Sequence, residues 1–138
     1  MGTIRPTPEK LQSFMTAVPD DTPLVMINLL KYREEAAYPP EYEGEAGSGR
    51  EAYQTYSATA FKFVTAVNGR VLWLGQVQLG LIAPEEESWD DALLVEYPSK
   101  QAFLEMFANP EYHTITVHRT AALEDSRLLV TVTQTSQL

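Results

Sequence analysis

Three observations predict an α+β domain for this chain. Apolar residues repeat at helical spacing and then at strand alternation, in the order helix, strand, helix, strand, strand, helix, strand. Capping signals punctuate that order at Thr7-Pro8, Ser48-Gly49-Arg50-Glu51 and Asn109-Pro110. The segment from Trp89 to Leu129 carries a strand ending at Pro98, a helix opened by Ser99, a break at Asn109-Pro110 and a closing strand.

Each element has its own warrant. Thr7 reads as an N-cap with Pro8 at the first helical position, and Leu11, Phe14, Met15 and Val18 recur until Pro19-Asp20-Asp21 stops the run. Leu24 to Tyr32 is a strand whose two faces, Leu24, Met26, Asn28, Leu30 and Val25, Ile27, Leu29, Lys31, are both mainly apolar. Such a strand is covered on both sides. Arg33 to Gly49 is a polar loop with five glutamates and Pro39-Pro40, long enough to be a lid, an arm or a disordered segment. Ser48 and Glu51 form a capping box, and Tyr53, Tyr56, Ala60, Phe63, Val64 and Val67 follow along one helix face to Asn68-Gly69.

Arg70 to Ile82 alternates as a strand with Val71, Trp73, Val77, Leu79 and Leu81 on one side. The acidic Pro84–Ser88 turn leads into Trp89, so a hairpin is predicted, its second strand placing Trp89, Leu93, Val95 and Tyr97 opposite Ala92 and Leu94. Phe103, Leu104, Met106 and Phe107 make the next helix amphipathic. Pro110 starts another that runs to about Leu123, and Arg127 to Thr135 closes the chain as a Val- and Thr-rich strand. Behind an extra N-terminal helix, this is the βαββαβ order of ferredoxin-like domains. Helices cover one sheet face; the other would show sets such as Val71, Trp73, Val77 or Leu24, Met26, Leu30 to water. A patch of that size marks an association surface, and a second copy stacked on it makes a homodimeric α+β barrel.

Composition narrows the functions. The 138 residues suit one domain, residues 1–138, and a 44% hydrophobic share can fill its core. A net charge of −9 disfavours nucleic acid and anionic membrane surfaces as partners. The absence of cysteine removes disulfides, thiolate metal sites and a thiol nucleophile. No signal pattern and no membrane-length apolar run is present, so a cytoplasmic protein is expected.

Several blocks carry a family resemblance: Met26-Ile27-Asn28-Leu29-Leu30-Lys31-Tyr32-Arg33; Asn68-Gly69-Arg70 before Trp73-Leu74-Gly75; Trp89-Asp90; Val95-Glu96-Tyr97-Pro98-Ser99; and Asn109-Pro110-Glu111-Tyr112 with Arg119. Over roughly Pro23 to Leu129 the chain resembles the domain of unknown function 1330 family. The resemblance implies a ferredoxin-like protomer of the dimeric α+β barrel superfamily and implies no activity. His113 stands where a neutral polar residue such as glutamine is expected, and the 33–49 loop belongs to the longer members.

The candidate site residues are Asn28, Tyr56, Trp73, Trp89, His113 and Arg119. Arg119 follows Tyr112 and Ile115 at i+7 and i+4, on the apolar face of its helix, where a guanidinium needs acceptors. Either Glu96 or Asp90 pairs with it, or a ligand carboxylate or carbonyl does. Asn28 is a polar break in an apolar strand and must bond to backbone or ligand. Trp73 and Trp89 fit either core or cavity wall, and Tyr53 and Tyr56 either packing or a pocket mouth. His113 and His118 fall about 140° apart on a helix, which argues against a two-histidine metal site; surface positions are the plain expectation for both. The loop glutamates read as solvated charge.

Three functions fit these residues, with no cofactor or metal called for. The first is binding of a small aromatic or carbonyl- or carboxylate-bearing molecule between sheet and helices, with or without cofactor-independent chemistry. The second is a monooxygenase of the antibiotic-biosynthesis or haem-degrading type, using Asn28, Trp73 and His113, an analogy at the level of the fold. The third is a non-catalytic stress or assembly protein whose dimer surface is its function.

Overall fold

Local capping fixes where the helices begin. In the computed structural model, which describes residues 2–135, Thr7 accepts from the Lys10 N–H and opens α1 (Pro8–Ala17). Ser48 and Glu51 close the expected capping box on α2 (Gly49–Ala66). Ser99 opens α3 (Lys100–Ala108), and Asn109 both ends it and caps α4 (Pro110–Ala122) by accepting from the Glu111 N–H at 2.9 Å. Four strands complete the chain: β1 (Leu24–Tyr32), β2 (Arg70–Gln76), β3 (Asp91–Tyr97) and β4 (Leu123–Thr131).

The strands form one antiparallel sheet in the order β2-β3-β1-β4, the ferredoxin-like arrangement. The helices pack on the face carrying Leu24, Met26, Leu30, Val95 and Tyr97, and with Tyr53, Tyr56, Val64, Met106 and Tyr112 these make the core. Helix α1 buries no residue fully; Phe14 meets Phe103 edge-on at 5.5 Å. The Lys100 ammonium ties down its C-terminal end by donating to the Met15 and Val18 carbonyls. A cation at that end complements the helix dipole.

Several sequence expectations need correction. The open face of the sheet carries Val25, Ile27 and Leu29, whereas Leu24, Met26 and Leu30 are buried beneath the helices. Strand β2 stops at Gln76, not Ile82, because its partner β3 begins at Asp91, two residues after Trp89. Val77 to Asp90 is a projecting hairpin arm without strand structure. Strand β4 starts at Leu123 directly after α4, not at Arg127, and ends at Thr131; of the segment expected to reach Thr135, residues 132–135 are outside the strand.

The acidic loop is pinned rather than loose. Ala36 N–H donates to Gly47 O at 3.0 Å and Ala37 N–H to Ala121 O at 2.8 Å, and Tyr38 packs on the core. Where it meets α2, the ends of β1 and α4 converge. Arg33 N–H donates to Ala122 O and Gly49 N–H to Arg33 O, and a Cβ at Gly49 would lie 2.3 Å from Arg33 O and 2.6 Å from Ala122 O.

Ser48→Ala removes one cap bond and is expected to lower stability by about 1 kcal/mol. Gly49→Ala must push two backbone carbonyls apart and is expected to cost more, in the overpacking range of roughly 1–3 kcal/mol or above. Urea unfolding of both variants checks the order; a Gly49→Ala protein no less stable than Ser48→Ala would contradict the packing described.

Candidate functional site

Between the sheet and the α2/α4 pair lies a run of tyrosines. Tyr53 and Tyr56 share the inward face of α2, Tyr112 comes from α4, Tyr32 from the end of β1 and Tyr97 from β3. Ring centroids are 5.5 Å apart for Tyr32–Tyr53, 5.3 Å for Tyr53–Tyr56 and 6.3 Å for Tyr56–Tyr112, and the last pair joins its hydroxyls in a hydrogen bond. Burial raises the Tyr53, Tyr56 and Tyr97 hydroxyls above the ordinary value of 10.0, and the Arg119 charge draws each of them down. These phenols are therefore neutral near pH 7, able both to donate and to accept.

Arg119 is half-buried beside this cluster. Its Nη1 donates to Ile4 O at 2.8 Å, and its charge acts on the Tyr53 hydroxyl. The expected pairing with Glu96 or Asp90 does not form. Glu96 pairs with Arg70 at 2.8 Å, and the Asp90 carboxylate accepts from the Tyr32 N–H at 2.8 Å. Asp91, a buried carboxylate, is held by the Tyr32 hydroxyl at 2.7 Å and by Arg50 at 3.1 Å. Among the described residues no carboxylate pairs with Arg119.

The N-terminal segment straps across this position. Thr3 N–H donates to Asp125 Oδ1 at 2.8 Å, Ser126 Oγ donates to Thr3 O at 2.6 Å, and Arg5 reaches Thr120 Oγ1 at 3.2 Å. Gly2 passes so close to β4 that a Cβ there would overlap Glu124 O.

The other sequence-predicted residues separate. Asn28 lies on the helix side, in a row across the sheet with Leu93 and Leu128, and its Nδ2 makes a long 3.4 Å bond to Leu93 O. Tyr56 and Arg119 share that side. Trp73 pairs with Leu94 on the opposite, open face and is 53% exposed. Trp89 sits at the base of the arm, its Nε1 donating to Glu87 at 3.0 Å and the Arg127 guanidinium 5.0 Å from its ring. His113 is exposed on α4 against Phe107, and His118 hydrogen-bonds the Tyr38 hydroxyl at 2.7 Å. Tyr97, Asp91 and Ile4 went unread because their roles depend on tertiary contacts. The stripe Tyr112, Ile115, Arg119 was the usable signal.

Two surface clefts lie elsewhere. One of about 150 Å³ separates the acidic loop from α2, lined by Tyr38, Tyr42, Glu45, Glu51 and Thr55. Another of about 320 Å³ lies at the base of the arm, among Lys31, Glu86, Glu87, Trp89 and Arg127. Among the described residues no group of three metal-ligating side chains occurs, and no helix is long and apolar enough to cross a membrane.

The strap carries a pH dependence. Partial burial raises the Asp125 carboxyl, but hydrogen bonds from the Thr3 and Ser126 N–H groups and from Arg127 outweigh it, leaving the group below its ordinary 3.8. A depressed carboxyl contributes fully above the unfolded value and loses that contribution as pH falls through the folded one. The Thr3 amide resonance should therefore move only on acidification below about 3.8, and Asp125→Asn should abolish that step. A step unchanged in the variant would assign it to another group.

Comparison with known proteins places the chain. The model of the domain of unknown function (DUF1330) family matches residues 48–133. The crystal structure of the RPA0582 protein of unknown function from Rhodopseudomonas palustris is 38% identical, with a TM-score of 0.88 over 98% of this chain and 99% of that one. Its methylated form gives 0.90, with 99% and 98% covered. SnoaB, a cofactor-independent oxygenase from Streptomyces nogalater, shares the fold at 12% identity and a TM-score of 0.53, covering 86% and 98%. No curated protein matches. By the family model and by its likeness to RPA0582, the chain belongs to the domain of unknown function (DUF1330) family.

Proposed function

We propose that the protein is a homodimer that binds a small carboxylate- or carbonyl-bearing molecule, aromatic by preference, between its helices and sheet. Arg119 is the anchor. The carrying observation is that this half-buried guanidinium has a backbone carbonyl and a tyrosine beside it but no carboxylate among the described residues. A guanidinium keeps its charge in a protein, and a cation withdrawn from water gains from an anionic acceptor. The flanking phenols supply ring faces and neutral hydroxyls for the rest of such a ligand.

Dimerisation follows from the open sheet face. Val25, Ile27, Leu29, Leu94, Trp73 and Leu129 share it with no helix over them. A contiguous apolar surface of this kind favours association. The oxygenase reading gains no support from the protomer, since Asn28, Trp73 and His113 lie on three separate surfaces. The cytoplasm suits a cysteine-free chain.

Two measurements test the proposal. Benzoate is expected to raise the melting temperature of the wild type, and Arg119→Met to weaken its binding roughly 10- to 100-fold, the range of a charge-assisted hydrogen bond. Equal shifts for both proteins would remove Arg119 from the site and leave the assembly role standing. Light scattering should report a dimer at micromolar concentration, and Ile27→Asp, which places a charge in the open face, a monomer. A monomeric wild type would sink the dimer.

A further inference from the structure

Residues 2–6 form neither helix nor strand, yet polar contacts hold them along α4 and β4. Thr3 is tied to Asp125 and Ser126 of β4, and Arg5 donates to Thr120 Oγ1 of α4. Ile4, between them, is held in two other ways. Its carbonyl accepts from Arg119 Nη1 at 2.8 Å, and its side chain lies half-buried against the hydrophobic core. Of residues 2–7, Ile4 alone packs on that core. The strap therefore offers an oxygen acceptor to a cation and, one carbon away, a branched hydrocarbon group to an apolar surface.

We propose that Ile4 occupies the Arg119 site as an internal substitute for the ligand, and that the ligand is a carboxylate carrying a branched aliphatic or aryl group one carbon from its carboxyl carbon. The inference rests on the reading of Arg119 given above and adds the shape of the ligand and the group it displaces. The chemistry of Ile4 sets that shape. From the carbonyl carbon through Cα and Cβ to Cδ1, its skeleton is that of 3-methylpentanoate. Phenylacetate puts a ring in the place of the same side chain. Either acid brings two charged oxygens to the guanidinium where Ile4 brings one neutral oxygen, and a planar fork suits the pair.

The tether also makes Ile4 a regulator of the site. A group held in place by its own chain competes at an effective concentration set by the tether, without the cost of a free molecule. The apparent affinity of a ligand is then the intrinsic affinity scaled by the fraction of molecules in which Ile4 has turned away. Weakening the hold of Ile4 raises that fraction without touching Arg119.

Titration calorimetry separates the possibilities. The wild type should bind 3-methylpentanoate at least roughly tenfold more tightly than acetate, which has the same charge and no hydrocarbon group to bury. Ile4→Ala keeps the backbone carbonyl, loses most of the apolar contact, and should bind 3-methylpentanoate at least about threefold more tightly than the wild type. A measurement on the unsubstituted protein guards against a variant that folds poorly. With methyl-labelled isoleucine, saturating 3-methylpentanoate should move the Ile4 resonances toward solvent-exposed positions, while those of Ile27 and Ile82 stay in place. If Arg119→Met weakens binding of benzoate and 3-methylpentanoate, yet the Ile4 resonances do not move and Ile4→Ala binds as the wild type does, the internal substitute is overturned and the Arg119 site stands. A wild type that binds 3-methylpentanoate no better than acetate overturns the ligand class. If none of the acids binds either protein, or Arg119→Met binds them unchanged, both readings fall.

Discussion

Strand β1 has to be dry on both faces, and most of the architecture answers to that constraint. It runs through the middle of the sheet with Leu24, Met26, Asn28 and Leu30 on one side and Val25, Ile27 and Leu29 on the other. Helices α2 and α4 cover the first set, and their own pairing is the main helix–helix contact. Among the described residues no helix covers the second, which is half-buried. At about 25 cal/mol per Å² of apolar surface removed from water, the uncovered set represents several kcal/mol recoverable only by association. The exposed β2 and β4 edges and the projecting arm follow the same logic, since a fold with one helix layer has completed only half of its burial.

The helix layer has a second consequence, which is chemical. Tyr53, Tyr56, Tyr97 and Tyr112 fill the sheet–helix space with large side chains that each carry a polar end, and the Tyr56–Tyr112 bond satisfies two of these ends together. Burial keeps the Tyr53, Tyr56 and Tyr97 phenols protonated, so none of the three brings a negative charge to Arg119. The carboxylates that could have neutralised it are engaged elsewhere, Asp91 with Arg50 and Tyr32, Glu96 with Arg70. Arg50, 4.7 Å from the Tyr32 ring, completes an ion pair with Asp91, whereas among the described residues Arg119 has none. The contrast between the two arginines distinguishes a structural cation from a candidate anchor.

What the sequence disclosed and what it withheld divide along local and non-local lines. The caps at Thr7, Ser48 and Asn109 are local chemistry and fall where the residues say. Element order and sheet class follow from periodicity. The errors arise where pairing decides. Val71 and Trp73 are two apart and read as one face, but a bulge between them pairs Val71 with Val95 and Trp73 with Leu94, so they point to opposite faces. A bulge at Lys31/Tyr32 likewise disguises the start of β4, where Leu123 and Ser126 are both buried three residues apart. Alternation through Val77, Leu79 and Leu81 continues past the end of β3, and a strand without a partner is not a strand. The acidic loop is anchored by Tyr38, stacked on Tyr42 at 3.8 Å and bonded to His118, contacts to another element that its local charge pattern does not specify. For the site, Arg119 and its stripe were legible, whereas the tryptophans were placed by size alone and lie elsewhere.

The strap gives the proposed anchor its selectivity. Ile4 is partly buried against the core, and its carbonyl already occupies a donor of Arg119. A ligand acceptor at that donor must do better than a neutral backbone carbonyl that is covalently tethered in place. The bond to Ile4 already has an ionised donor; under the proposal a carboxylate adds its own charge and matches the guanidinium fork, so it competes for that donor better than a neutral carbonyl does. The bonds that hold the strap upstream, from Thr3 N–H to Asp125 Oδ1 and from Ser126 Oγ to Thr3 O, lie one residue before Ile4 and need not break for it to turn away. On the proposed reading, a ligand at Arg119 competes with one backbone bond, the same contact that solvates the guanidinium by protein, and that competition favours anions over neutral carbonyls.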